Sequence, residues 1–209
     1  FDAGGAEVED SGFELSLNID LSDSTVYAAT GAESLAEALS SLTKGTTYYY
    51  RAFVETIMGR AEGAIQSFTT VDDAAVSTLS ATSIGAFSAN LRGEITSTGG
   101  GTISATDFQY STNSSLSGAS TAGGSSTSGT FNGSVSGLSA GTTYYFRARA
   151  TNEAGTANGN TLNFTTIGLA SVSTGNSSSV GPTTATLSGS VTPTGGGTVS
   201  ATGFQYSTN

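Results

Sequence analysis

The sequence predicts an all-β protein built from tandem β-sandwich modules of about 95 residues, each with about seven short strands. Three observations support this fold class: an internal repeat, alternating strands and glycine-rich turns. The segment Phe-Gln-Tyr-Ser-Thr-Asn occurs at 108–113 and recurs 96 residues later, at 204–209. Apolar and polar residues alternate with a period of two over 142–152, which is typical of a half-buried strand. The 29 glycines supply the turns.

The repeat divides the chain into one complete and two partial modules. The triplet Phe-Thr-Thr closes two of them, at 68–70 and at 164–166. Residues 1–70 are therefore expected to form a partial module with strands C to G. Residues 71–166 are expected to form a complete module, and 167–209 a partial module with strands A to C.

Within the complete module, a strand is expected wherever alternating residues lie between turn signals. The expected strands are A at 76–79, B at 88–95, C at 106–111, E at 130–135, F at 142–152 and G at 161–166. Glycines 99–101 would form the B–C turn. Residues 114–128 would be a mobile C–E connection with at most a short edge strand.

One segment of the first module carries conflicting signals. Leucines within residues 32–42 recur at i, i+4 and i+7, which locally predicts an amphipathic helix. The repeat instead aligns Leu35 with Phe131 and Leu39 with Val135, both in strand E. We expect a strand here, because tertiary context routinely overrides local propensity.

A repeated phrase, Leu-x-x-Gly-Thr-x-Tyr, precedes strand F in two modules. Its fixed residues are Leu42, Gly45 and Tyr48 in the first copy and Leu138, Gly141 and Tyr144 in the second. The phrase resembles the E–F corner of fibronectin type III modules. That resemblance implies that the tyrosine packs inward and that its hydroxyl bonds to the backbone a few residues upstream.

The resemblance covers nearly the whole chain. Among fibronectin type III modules, the chain is more similar to the threonine- and serine-rich variants that are common in bacterial surface proteins. This similarity therefore implies an extracellular location at a cell surface. The chain departs from the animal pattern in strand B, where Leu91 and Leu187 replace the expected tryptophan. It also lacks an Arg-Gly-Asp tripeptide, which argues against integrin-type adhesion.

Composition argues against several classes of function. The net charge of −10 repels phosphate backbones and anionic lipids, so neither nucleic acid nor membrane insertion is expected. The chain has no cysteine and no histidine, which removes disulfides, thiolate zinc sites and the usual general base. The glycine runs at 99–101 and 195–197 lack a following Gly-Lys-Ser/Thr and are interpreted as plain turns. We expect no enzymatic activity and no cofactor.

Four acidic residues are candidate calcium ligands. Asp72 and Asp73 lie at the junction of the first two modules, and Asp20 and Asp23 lie in the first C–E connection. Calcium takes six to eight oxygen ligands, and two adjacent carboxylates fall short of that number. A solvated charged linker is the better interpretation.

The outward face of strand F is a candidate binding surface. It carries Tyr49, Arg51 and Phe53 in the first module and Tyr145, Arg147 and Arg149 in the second. Exposed aromatic and arginine side chains could bind surface glycans or a protein partner. Cross-strand pairing explains the same residues and is the favoured interpretation.

These patterns indicate a structural repeat segment of an extracellular bacterial surface fibre or adhesin stalk. The alternatives are a carbohydrate- or partner-binding array, or accessory modules of a secreted enzyme or phage fibre. Residues 192–209 repeat 1–18, so the chain reads most simply as a window on a continuous array. If the chain exists as such, its tail is expected to complete the first module of the next chain, head to tail.

Overall fold

A computed structural model describes residues 7–29, 34–193 and 195–208 of the chain. These residues form fifteen strands and no helix. They therefore contain no helix that could cross a membrane. The strands are β1 (Val8–Ser16), β2 (Thr25–Ala28), β3 (Thr47–Thr56), β4 (Gly59–Glu62), β5 (Gln66–Thr69), β6 (Ala75–Thr82), β7 (Ser88–Ser97), β8 (Ala105–Ser111), β9 (Ser120–Gly123), β10 (Gly129–Ser136), β11 (Thr143–Asn152), β12 (Gly155–Asn158), β13 (Leu162–Thr165), β14 (Ser171–Thr174) and β15 (Gly189–Thr192).

The chain forms two compact units. The first comprises residues 1–73 together with 99–101, and the second comprises 74–98 and 102–209. The first unit contains one antiparallel sheet in the order β2-β1-β3-β4, with β5 also paired to β3. Its central pair, β1 and β3, places Phe13 opposite Ala52 and Leu15 opposite Tyr50.

The second unit contains two facing sheets that enclose a core. One sheet has the order β10-β7-β6, and the other has the order β9-β8-β11-β12, with β13 also paired to β11. In the lettering of the sequence analysis these are sheets E-B-A and C-F-G, and we name the additional edge strand β9 C′. Strand G is split into β12 and β13, and only its second part lies in the predicted range. The edge strand β9 lies within the predicted C–E connection.

The core of the second unit follows from alternation along the strands. In β11 every second residue is buried, and Phe146, Ala148 and Ala150 have no exposed surface. Phe108 of β8 and Leu91 of β7 are equally inaccessible. The rings of Phe108 and Phe131 lie 5.0 Å apart between the sheets. Burial of these apolar faces is what holds the two sheets together.

A third, two-stranded sheet pairs β14 with β15. Of its two valines, Val172 is 74% accessible and Val191 is half-buried. Leu187, two residues before β15, is 43% accessible. By the repeat these strands correspond to β6 and β7 of the complete module.

Two predicted strands are absent from the part of the chain that the structure describes. Residues 34–46, which include the expected strand E of the first module, form neither a strand nor a helix. In the complete module strand E pairs with strand B along its full length, and the first unit offers no such strand among its described residues. The expected strand C at 204–208 is likewise irregular, and no strand F lies beside it among the described residues; Asn209 lies outside them.

Replacing Phe108 with alanine should destabilise the second unit by about 3–5 kcal/mol, the usual cost of deleting a fully buried aromatic side chain. The unfolding free energy can be measured in urea from the NMR signals of β11. Phe87, which is 53% exposed, provides the matched control: Phe87→Ala should change stability by less than about 0.5 kcal/mol. Equal effects of the two substitutions would contradict this assignment of the core.

Candidate functional site

The E–F corner of the second unit is fixed by Tyr144. Its hydroxyl accepts a hydrogen bond from the backbone N–H of Ser139 at 3.0 Å, five residues upstream. Its ring is buried and stacks on Phe164, with the centroids 5.8 Å apart. Leu138 is buried beside it, and Gly141 turns the chain with φ 61°, a value that favours glycine. This is the contact that the corner resemblance implied.

A residue that sequence reasoning missed closes the same corner. Thr166, the last residue of the Phe-Thr-Thr triplet, has no exposed surface. Its hydroxyl oxygen accepts the N–H of Thr142 at 2.9 Å and lies 2.6 Å from the carbonyl oxygen of Ser139, to which it donates. The one signal in the sequence was the recurrence of the triplet at 68–70, which does not reveal the partners of its final threonine.

The first unit repeats this corner with the same contacts. The Tyr48 hydroxyl accepts the N–H of Thr43 at 3.0 Å. The Thr70 hydroxyl donates to Thr43 O at 2.6 Å and accepts from Thr46 N at 3.0 Å. Gly45 has φ 60°, and Leu42 is half-buried. Among the described residues the corner of the first unit therefore forms from one sheet and its loop, without a second sheet like the one that covers it in the complete module.

Acidic residues pair with the arginines on the outer face of the first sheet. The Arg51 Nε lies 2.6 Å from Glu14 Oε2, and its Nη1 lies 2.5 Å from Glu62 Oε2. Arg60 contacts the same two carboxylates, at 2.5 and 3.1 Å. The hydrogen bond with Glu14 raises the pKa of Arg51 above its ordinary value. The guanidinium of Arg60 lies 4.0 Å above the ring of Phe53, which is therefore buried and not an exposed aromatic residue.

The arginines of the second unit are also paired with neighbouring side chains. Arg149 makes a bidentate contact with Asp107, at 2.6 and 2.8 Å. Arg147 donates twice to the Gln109 side-chain oxygen, at 2.9 and 2.7 Å. Tyr49 and Tyr145, the aromatic residues of the candidate surface, are both half-buried. The strongest donors on this face are thus engaged in cross-strand pairs, which stabilise the sheet.

The candidate calcium ligands are engaged in local contacts. Asp73 forms a salt bridge with Lys44 at 2.9 Å, and an Asp72 carboxylate oxygen accepts the N–H of Asp73 at 2.8 Å. Asp20 accepts hydrogen bonds from the Ser22 hydroxyl and N–H, which lower the pKa of its carboxyl. Asp23 adopts φ 60° in the same loop. The described residues contain no group of three or more acidic side chains that could hold a metal ion.

A carboxylate also orders the B–C turn of the second unit. Glu153 Oε2 accepts the N–H of Thr102 at 2.8 Å. The pKa of Glu153 is lowered by a hydrogen bond from its own N–H and by that of Thr102. The contact engages a backbone N–H at the end of the glycine-rich segment 98–102, which is consistent with a structural turn.

No protein-family model and no curated protein matches this chain. Solved structures resemble it at low identity. The sensor domain of an anti-sigma factor from Pseudobacteroides cellulosolvens is 20% identical over 48% of this chain and 100% of that one, with a TM-score of 0.38. Fibronectin domains of chicken CNTN1 are 13% identical over 75% of this chain and 56% of theirs, with a TM-score of 0.36. Domains of titin are 14% identical over 76% of this chain and 55% of theirs, with a TM-score of 0.39.

This chain thus spans little more than half of the CNTN1 and titin structures, and similarities at these scores carry no functional argument. The fold class follows instead from the arrangement of the strands and from the tyrosine corner. An A-B-E sheet that faces a C′-C-F-G sheet, joined by a tyrosine corner, is the arrangement of fibronectin type III and immunoglobulin-like β-sandwiches.

Replacing Tyr144 with phenylalanine should destabilise the second unit by roughly 1–3 kcal/mol, because Ser139 N loses its acceptor. Tyr145→Phe, one residue further and on the opposite face, is the control and should have little effect. Urea unfolding of the two variants measures both values. Unchanged stability of Tyr144→Phe would show that the hydroxyl does not hold the corner.

Proposed function

We propose that this chain is a structural repeat segment of an extracellular bacterial surface fibre or adhesin stalk, in which β-sandwich modules follow one another head to tail. The observation that carries the proposal is a set of backbone contacts that occurs twice, once after each tyrosine corner. In each case the corner glycine on one side and a glycine-rich turn on the other side approach the linker residues, and we call this arrangement the joint. The two joints have different linker sequences, Val71-Asp72-Asp73 and Ile167-Gly168-Leu169.

Backbone groups make contacts on both sides of the linker in the second unit. Gly141 of the corner donates its N–H to Ile167 O at 3.2 Å, and Ile167 N donates to Gly85 O at 3.0 Å. On the other side of the linker, Gly195 of the next glycine-rich turn approaches so closely that a Cβ would lie 2.3 Å from Gly168 N. A side chain at position 195 could not be accommodated without a shift of the backbone.

The first unit contains the same joint. Gly45 of its corner donates to Val71 O at 3.4 Å, and Asp72 N donates to Gly99 O at 2.9 Å. A Cβ on Gly99 would lie 2.2 Å from Asp72 O. Because these contacts use the backbone, they tolerate variation of the linker side chains, as an array of diverging repeats requires.

A spacer role agrees with the other properties of the chain. The net charge of −10 favours solubility and opposes aggregation of a repetitive β protein. The binding-array alternative would require free donors on the outer face, where the described arginines of β3 and β11 are already paired.

The joint predicts different outcomes at two neighbouring glycines. Gly99 and Gly100 have φ 66° and 80°, so alanine is strained at both, but a Cβ meets other atoms within 4 Å only at Gly99. Gly99→Ala should accelerate hydrogen exchange of the Asp72 amide by about tenfold or more, because opening of the joint becomes easier. Gly100→Ala is the control and should leave this rate unchanged. Equal rates in the two variants would exclude the joint.

The choice between spacer and binding array can be tested on a polysaccharide array with the 209-residue chain. A spacer should give no signal above background, and Arg147→Ala should not alter that result. Concentration-dependent binding that is lost in Arg147→Ala and Arg149→Ala would favour the glycan-binding alternative and contradict the spacer proposal.

A further inference from the structure

The chain contains four tripeptides of the form Asn-x-Ser or Asn-x-Thr, which is the acceptor sequence for N-linked glycosylation. They begin at Asn113, Asn132, Asn163 and Asn176. Because the sequence requirement includes both the asparagine and the hydroxyl residue, a transferase must contact both. The four tripeptides therefore differ as acceptors according to whether both groups are accessible outside a paired strand.

The first tripeptide, Asn113-Ser114-Ser115, lies in the loop that joins β8 to β9. All three residues are exposed and belong to no strand. The side-chain oxygen Oδ1 of Asn113 accepts hydrogen bonds from the N–H and from the hydroxyl of Ser115, both at 2.9 Å. A backbone N–H can only donate, so the atom that faces it is the amide oxygen. The amide nitrogen Nδ2 makes no hydrogen bond with any residue that the structure describes.

These two hydrogen bonds also suit the chemistry of N-glycosylation. An amide nitrogen is a weak nucleophile, and it becomes a stronger one as it loses a proton. The negative charge that then develops is shared with the amide oxygen. Both donors of Ser115 point at this oxygen of Asn113, where they stabilise the developing charge.

Two of the other tripeptides lie within paired strands. Asn132 belongs to β10, which pairs with β7 along its full length. Asn163 belongs to β13, which pairs with β11. In the latter tripeptide the middle residue, Phe164, is buried in the core, and the Thr165 hydroxyl lies 2.9 Å from that of Thr143. A transferase could engage either tripeptide only after the strand had opened.

The tripeptide that begins at Asn176 is exposed but held at both ends. The Asn176 carbonyl oxygen accepts the Ser188 hydroxyl at 2.7 Å. Ser178 and Thr186 exchange two backbone hydrogen bonds, at 2.8 and 2.7 Å. Its hydroxyl residue is therefore fixed in a β-bridge, unlike that of the first tripeptide.

The loop between β1 and β2 has the same backbone as the loop of Asn113 but lacks the acceptor sequence. Leu21 N donates to Asn18 O at 3.0 Å, as Leu116 N donates to Asn113 O at 2.9 Å. Leu21 and Leu116 have φ 56° and 58°. Two residues after Asn18 the chain has Asp20 in place of a serine. The first unit therefore provides a natural comparison in which only the hydroxyl residue is missing.

We propose that Asn113 is a site of N-linked glycosylation, and that its substrate is a sugar activated as a diphosphate at the anomeric carbon. In the reaction Nδ2 of Asn113 forms a bond to the anomeric carbon, and the bond between that carbon and the diphosphate oxygen breaks. The diphosphate leaves with the bonding electron pair, and a base of the transferase takes up one Nδ2 proton. The diphosphate carries a nucleotide or a lipid, since the bonds formed and broken are the same in both. The proposal goes beyond the spacer function and does not depend on it.

The folded 209-residue chain, purified from a host without N-glycosylation, can be incubated with a soluble N-glycosyltransferase and a nucleotide-activated glucose. Peptide mapping by mass spectrometry measures the modification of each asparagine over time. Asn113 should be modified at least about tenfold faster than Asn132 and Asn163, because those sites require local opening of a strand. Equal rates at the three sites would contradict the proposal.

Substitutions of the same tripeptide test the role of the hydroxyl. Ser115→Ala should abolish the modification of Asn113, and Ser115→Thr should retain it. Ser114→Ala, at the unrestricted middle position, is the matched control and should leave the rate unchanged. Equal effects of Ser115→Ala and Ser114→Ala would overturn the proposal.

The loop of the first unit offers a gain of function. Asp20→Ser should make Asn18 an acceptor, because it supplies the missing hydroxyl residue on the same backbone. If Asn18 stayed unmodified in this variant while Asn113 was modified, the loop conformation would not be what selects the site.

Secretion of the chain through a host with a membrane-bound oligosaccharyltransferase tests the lipid-linked source of the sugar. Modification of Asn113 in this host or by the soluble enzyme supports the proposal and identifies the source. An unmodified Asn113 in both systems would refute it.

Discussion

The structure depends on strand F being paired along both edges and covered on one face. In the second unit β11 pairs with β8 on one side and with β12 and β13 on the other, while β6 and β7 lie over it. Its residues then alternate strictly between buried and less buried. In the first unit β3 has partners on both edges, but Tyr48, Tyr50 and Ala52 stay half-buried, and no second sheet covers them among the described residues. Edge pairing alone thus orders the strand, and covering is needed to bury it.

The same constraint explains where sequence reasoning failed. The all-β class and most strands of residues 71–166 could be predicted, because each has its partners within the same repeat, whereas β12 at 155–158 was not predicted. Phe-Gln-Tyr-Ser-Thr at 108–112 and at 204–208 are identical, yet Phe108 is inaccessible in β8 and Phe204 is 54% exposed in an irregular segment. The local sequence is therefore the same at the two places. Among the described residues strand F lies beside only the first segment, and we attribute the difference to this neighbour.

The candidate site was predictable only where its contacts are local in sequence. The corner tyrosines bond five residues upstream, so one repeated phrase contains both partners. The partners of Arg51 and Arg149 lie 37 and 42 residues away, and which acid each arginine meets depends on strand register. Thr70 and Thr166 bond across the ends of strands F and G, over separations of up to 27 residues. The joints depend on close contacts between backbone atoms, which the pattern of side chains in a sequence does not predict.

Hydrogen exchange of the two identical segments in the 209-residue chain is the most direct test of this account. Sequence and local propensity are the same, so any difference must come from the neighbouring strands. The protected amides of 108–111 should exchange at least about 100-fold more slowly than their counterparts at 204–207, since the former open only with the second unit. Equal protection of the two segments would show that strand formation here follows local sequence and would contradict the central role of strand F.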